Sequence, residues 1–197
     1  MATLVTYDTE TTGLPEWKKP SDDEAQPHTV QIGAIKHNLD TGEEIDQLNI
    51  IVKPDGWEIP QETIDIHGIT NERALAEGIP EKDAIQKLVE FCEGSERNAF
   101  NRTFDQRIIR IGLKRFFNEE TQEAWANKED HHCTMLLAKP IMQLSPKGRY
   151  GYKQPKLSEA YRYFTGENLE GAHDALIDAK AAAVVYLKIK EIDADVA

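Results

Sequence analysis

The apolar positions near the start of the chain follow the two-residue period of strands. Thr3 to Tyr7 mixes β-branched and apolar residues and predicts a short buried strand ending at Asp8. The next segment, TGLPEWKKPSDDEAQP, is rich in proline, glycine and charge and reads as a long loop. HTVQIGAIKHN, from His28 to Asn38, and IDQLNIIVKP, from Ile45 to Pro54, are strand candidates joined by the turn signal DTGEE, and so form a hairpin.

Helical periods dominate the rest. EKDAIQKLVEFCEG places Ile85, Leu88, Val89 and Cys92 at helical spacing, and Gly94 can stop the helix. RNAFN is a short strand candidate. TFDQRIIRIGLKRFFN predicts an amphipathic helix with Ile108, Ile109, Ile111, Leu113 and Phe116 as its apolar positions. CTMLLAKPIMQL predicts a helix broken near Pro140, and KLSEAYRYFTG a short helix ended by Gly166. The alanine-rich DALIDAKAAAVVYLKIKEI predicts the last helix. Strands first, then helices alternating with a strand, predict an α/β fold with a mixed sheet flanked by helices. Residues 1–192 read as one domain, and 193–197 as a short C-terminal tail.

Composition narrows the class. A chain of 197 residues with 40% apolar content suits a single core. No apolar run is long enough for a membrane span, and the N-terminus carries no secretory signal. Two cysteines far apart, Cys92 and Cys133, fit a reduced, cytoplasmic protein. The net charge of −12 argues against simple electrostatic clamping of nucleic acid. It is compatible with a metal enzyme, because divalent cations neutralise clustered carboxylates and bring positive charge to a phosphate.

Candidate chemistry starts with Asp8 and Glu10. Two residues apart on a strand, they point to one face, and paired hard oxygen donors suit Mg²⁺ or Mn²⁺. Asp-x-Glu alone is weak evidence, since a solvated strand end has the same pattern. Thr11, Thr12 and Gly13 follow, small residues that let a ligand approach the backbone. Leu14, apolar in a polar loop, is either a local packing residue or a wedge against a nucleobase. Asp105 stands at a helix start, where an acid usually complements the helix dipole; Asn101 and Phe104 make NRTFD more specific. In HDALID, His173 and Asp178 are separated by about 140° on an ideal helix. They converge if His173 lies in the loop after Gly171 and the helix starts near Asp174, with Asp174 as the cap. A histidine there can accept a proton from an attacking water.

DTETTGL, NRTFD and HDALID, in this order and at these separations, resemble the three exonuclease motifs of the DEDDh (DnaQ-like) family. The resemblance spans nearly the whole chain. HGIT, from His67 to Thr70, matches a further family segment, and CTMLLAK looks most like the exodeoxyribonuclease X branch. The family implies a ribonuclease-H-like fold and 3′→5′ removal of nucleotides with two divalent ions, Mg²⁺ or Mn²⁺. Carried over, the metal ligands are Asp8, Glu10, Asp105 and Asp178, and His173 is the general base. Substrate contacts fall on Thr11, Thr12, Leu14, His67, Phe104 and Asn101. Phe100 departs from the family, where many members have histidine.

The implied partner is a nucleic acid with a free 3′ end, with DNA favoured over RNA. A DNA polymerase and a second copy of the chain are the candidate protein partners, and no membrane is implied. The few residues after the last helix favour a free-standing enzyme over a polymerase subunit. The basic, tyrosine-containing segment from Ser145 to Lys156 reads either as a surface loop or as a grip on the strand. Arg107, Arg110, Lys114 and Arg115 read as a solvated helix face, with contact to a nucleic-acid backbone as the alternative. His131, His132 and Cys133 are a poor zinc set, since adjacent residues rarely chelate one ion and no CxxC or HxxxH partner exists.

Overall fold

The computed structural model describes residues 2–129, 131–149 and 151–196. Its sheet has six strands in the order β4-β3-β2-β1-β5-β6. β1 (Thr3–Thr11) lies at its centre, antiparallel to β2 (Thr29–Asn38), which pairs antiparallel with β3 (Glu44–Lys53). On the other side β5 (Glu96–Ala99) and β6 (His131–Cys133) run parallel to it. The short β4 (Ile79–Pro80) adds in parallel at the far edge. The mixed sheet and the β2–β3 hairpin agree with the sequence pattern. β1 runs three residues past Asp8, because Thr9 and Thr11 are β-branched and continue the ladder on β2.

The two faces of β1 carry different layers. Val5 and Tyr7 join Ile32 and Ala34 of β2 in a core closed by α3 (Glu81–Phe91) and α4 (Arg102–Phe116), through Ile85, Leu88, Ile109 and Leu113. The opposite face receives α8 (Ala175–Val196), whose Ala179 and Ala183 pack on Ile35. Small alanines let this helix sit close to the sheet. A second core joins α8 to α6 (Thr134–Met142) and α7 (Leu157–Thr165) around Phe100, Ala138, Ala160 and Val185.

Three helices had no periodic signal. α1 (Gln61–His67) and α2 (Asn71–Glu77) are too short to show one. Their ends are nonetheless marked: Gly68 closes α1 in the left-handed region, and the Thr70 hydroxyl caps α2 at the Arg73 N–H. α5 (Glu119–Ala126) buries only Trp125. β6 was likewise hidden in a run of two histidines and a cysteine. Pro140 does not break α6, contrary to the sequence expectation. The carbonyl it leaves unbonded belongs to Leu136, an exposed residue open to water. α8 carries the backbone to Val196; the side chains of the tail expected at 193–197 lie outside the described residues, as does Tyr150.

Candidate active site

The site forms where the C-terminal end of β1 meets the starts of α4 and α8. Asp8 faces Gly33 across the β1–β2 ladder and Glu10 faces Gln31, so all four residues share the face that α8 covers. Gly33 is required there. A Cβ at that position would collide with the backbone of Ala175 and Leu176, so glycine lets the first turn of α8 rest on the sheet. Gln31 fixes the same turn through its side chain: Oε1 accepts from the Ala175 N–H at 3.0 Å, and Nε2 donates to Asp174 at 3.2 Å. Asp174 is the helix cap expected of it, accepting from the Leu176 and Ile177 N–H groups at 3.0 and 3.2 Å.

This anchoring brings His173 and Asp178 over the β1 acids. His173 lies outside the helix at φ 70°, a left-handed conformation that non-glycine residues rarely adopt. The turn folds His173 back, and its N–H donates to Asp178 Oδ2 at 3.1 Å. The convergence over five residues thus comes from this loop, as the helical geometry demanded. Donor atoms of Glu10, His173 and Asp178 lie within 4.8 Å of one another.

Asp105 arrives from the other side of the sheet. Thr9, between the two acids, points towards α4 and donates both its N–H and its hydroxyl to Asp105 Oδ1, at 3.1 and 2.9 Å. Both bonds fall on one oxygen. Asp8, Glu10, Asp105, His173 and Asp178 then line one cavity of about 200 Å³, with Asn101, Phe104 and Leu157 among its walls.

The electrostatics are those of a buried acid cluster. Burial pushes Asp8 well above the usual carboxylate range, reinforced by Asp105, Asp178 and Glu10. Glu10 is pushed up to about 8 by burial, then by Asp178 and Asp105. Asp105 rises to about 7 through burial, against the lowering effect of its Thr9 bonds. Asp178 is raised by burial as well. Its Oδ1 is buried with no hydrogen-bond partner. An orphaned carboxylate oxygen facing three more acids fits hard divalent cations, which would supply the missing charge and the missing bond.

A second cavity, of about 580 Å³, adjoins the first and shares Glu10, Phe104 and His173 with it. Thr11, Gly13 and Leu14 form one side and Thr63, Ile66 and His67 of α1 the other. Leu14 is 78% exposed, as a wedge in a polar loop would be. His67 accepts from the Ile69 N–H on Nδ1, so its Nε2 carries the hydrogen, and that atom is buried without a partner. Thr12 lines neither cavity. Its hydroxyl oxygen accepts from the His28 N–H at 2.9 Å and pins the base of the loop. Thr11 lines the larger cavity, with its hydroxyl donating to the Gly13 carbonyl at 2.8 Å.

Sequence reasoning missed Leu157, Thr63 and Ile66. The last two sit on α1, whose only signal was the HGIT segment at its end. The basic segment leads straight into Leu157. Within it Lys153 pairs with Glu159 at 2.7 Å and Lys147 lies 5.1 Å from the centre of the Tyr152 ring. Arg115 is not part of a solvated face: it donates to the carbonyls of Gln26 and Pro27 and lies 3.5 Å from Glu81. His131, His132 and Cys133 turn to Tyr7, Glu96 and the Phe100 carbonyl respectively, so they share no common centre.

Comparison with known proteins places this arrangement. The model of the RNase_T exonuclease family matches residues 5–186. The chain belongs to this exonuclease family. It is DnaQ-like, within the ribonuclease-H-like superfamily. The family domain is similar to part of the PolC-type DNA polymerase III of Thermotoga maritima, 29% identical over 97% of this chain and 12% of that protein. The enzyme of the same name from Streptococcus thermophilus is 28% identical over 97% of this chain and 11% of its own length. The chain thus spans about an eighth of these relatives. Among solved structures, E. coli Exonuclease I in complex with a dT13 oligonucleotide superposes with a TM-score of 0.76 at 20% identity, over 100% of this chain and 42% of that one. Exonuclease I of Methylocaldum szegediense gives 0.72 at 23% identity, over 97% and 41%. These likenesses establish the fold, and the six-stranded mixed sheet is ribonuclease-H-like.

Proposed function

We propose that the chain is a 3′→5′ exonuclease that releases nucleoside monophosphates from DNA 3′ ends by divalent-metal-dependent hydrolysis. The observation that carries this reading is the convergence of four carboxylates and His173 in one cavity, beside a second cavity of about 580 Å³ that Leu14, Phe104 and His67 line. Asp8, Glu10, Asp105 and Asp178 would hold two divalent ions, Mg²⁺ or Mn²⁺. When bound, these supply Lewis-acid charge to the attacking and leaving oxygens of an in-line displacement.

The chain's own residues do the rest. His173, exposed at the cavity mouth, accepts the proton of the attacking water on its imidazole. Asp178 fixes the backbone of His173 through its N–H and so sets where the imidazole can reach. Thr9 locks Asp105 in one rotamer before substrate arrives. Leu14 and Phe104 flank the terminal base, while His67 Nε2–H and Asn101 offer hydrogen bonds to the nucleotide.

The 3′ polarity is part of the proposal. So is the preference for DNA, which draws on Exonuclease I bound to oligodeoxynucleotides and on the PolC-type relatives. Digestion of matched 3′- and 5′-labelled DNA and RNA oligonucleotides in Mg²⁺ or Mn²⁺ tests it. The 3′ label should leave first, as a mononucleotide, and DNA should be consumed faster. Early loss of the 5′ label, or internal cuts, would overturn the reading. A second reading, proofreading beside a DNA polymerase, is favoured by similarity to a segment of PolC-type polymerases. Stable co-purification with a polymerase distinguishes it.

A further inference from the structure

α4 carries four basic residues after Asp105, and they are not equivalent. Arg115 has Glu81 as a counter-charge, and Lys114 is exposed to water. Arg107 and Arg110 have neither. Both are half-buried, and the Nε of each is buried without a hydrogen-bond partner. Among the described residues neither lies within ion-pairing distance of a carboxylate. They stand one turn apart, and burial, then the neighbouring Arg107, disfavours the charge of Arg110. In a chain where 35 acids face 23 basic residues, two adjacent guanidiniums without an acid are an exception to the local supply of charge. Guanidinium stays protonated in proteins, so the charge persists and an anion is the missing partner.

Position identifies the anion. Phe104, at the start of α4, lines both cavities. At the helical rise, Arg107 and Arg110 lie about 5 and about 9 Å further along the same helix. The Arg107 guanidinium donates to the Lys19 carbonyl at 2.6 Å, which ties the loop bearing Leu14 alongside α4. Leu14 and Phe104 of these two segments both line the larger cavity. The same two segments thus continue outward from the cavity as a track whose helix side is cationic.

We infer that Arg107 and Arg110 form a phosphodiester subsite that holds the strand just outside the hydrolytic cavity. The inference rests on the nuclease reading and deepens it: the cavity takes the terminal nucleotide, and the arginine pair takes backbone phosphate behind it. Guanidinium forks contact phosphate oxygens without reading bases, so the subsite ignores sequence and sugar.

The test compares wild type with Arg110→Gln and Arg110→Lys in the full chain. Among the described residues Arg110 makes no hydrogen bond that anchors a loop, so its replacement should leave the fold intact. Two substrates are used: single-stranded 12-mers of DNA and RNA, and the p-nitrophenyl ester of thymidine 5′-monophosphate, which has no neighbouring nucleotide. Binding of the 12-mers is followed by fluorescence anisotropy across a salt series. Arg110→Gln should weaken 12-mer binding about tenfold, as expected for one charge-assisted bond, and reduce the salt slope by roughly 0.7. Its KM should rise about tenfold more for the 12-mers than for the ester, and Arg110→Lys should recover most of the salt slope. Unchanged 12-mer affinity, equal losses on 12-mer and ester, or a loss confined to one sugar would each overturn the subsite. Failure of the wild-type protein to hydrolyse either substrate would instead overturn the nuclease reading beneath it.

Discussion

Asp178 shows at atomic scale why a cation would suit this site. One oxygen accepts from His173 N–H and the other is buried without a partner, beside acids whose own protons are held too tightly. The consequence is a pH dependence with a definite sign. In the metal-free folded chain Glu10 keeps its proton up to about pH 8, against an ordinary value of 4.5; Asp105 keeps its own to about 7, against 3.8. Between those limits the folded state binds more protons than the unfolded state, so stability falls as pH rises. Thermal unfolding followed by circular dichroism should show the metal-free Tm dropping from about pH 4 to about pH 8. Mg²⁺ or Mn²⁺ should reverse the drop most strongly at the alkaline end. A metal-free Tm that is flat across this window contradicts the electrostatic account. His173 makes a separate prediction. His173→Ala should stay folded and lose roughly 100-fold or more in turnover, the usual scale for a general base. Near-normal turnover by the folded variant would remove His173 from that role.

At the scale of elements, the site depends on how closely α8 approaches the sheet. Gly33 supplies no ligand atom and lies opposite Asp8 on the β1–β2 ladder, yet a single methyl there meets the backbone of Ala175 and Leu176. Backbone cannot rotate aside, so the first turn of α8 must lift and carry Asp178 and His173 away from Asp8 and Glu10. Gly33→Ala should cost about 1–3 kcal/mol in stability, as overpacking does, and weaken Mn²⁺ binding although all four carboxylates remain. Chemical denaturation and metal titration measure the two effects; unaltered metal affinity would show that α8 is free to adjust.

The same element explains what the sequence could and could not disclose. The spacing of Asp8 and Glu10 was readable because a strand has a two-residue period. The meeting of His173 and Asp178 was readable only as a condition, that a loop precede the helix. The partners that enforce it, Gln31 and Gly33, carry no local signal, since their role exists only across the β1–β2 ladder. α1 escaped notice for a related reason: seven residues with one buried side chain give no amphipathic stripe. It nonetheless supplies Thr63, Ile66 and His67 to the larger cavity.

For the whole molecule, the order of strands and helices sufficed to anticipate a mixed sheet, and the three motifs sufficed to anticipate the family. Net charge alone left the function open. A net −12 argues against a nucleic-acid binder only if charge is averaged over the surface. Here acid is concentrated where divalent ions would convert it into an attractive site, and the uncompensated cations sit along α4 beside it. No helix among the described residues is long and apolar enough to cross a membrane.

All of this turns on whether the four carboxylates hold metal. Titration of the metal-free protein with Mn²⁺, followed by electron paramagnetic resonance, counts bound ions directly. The account predicts two Mn²⁺ per chain in the wild type and clearly weaker binding in Asp178→Asn, whose side chain keeps its size and loses its charge. Absence of tight Mn²⁺ binding, or a titration that Asp178→Asn leaves unchanged, would contradict it.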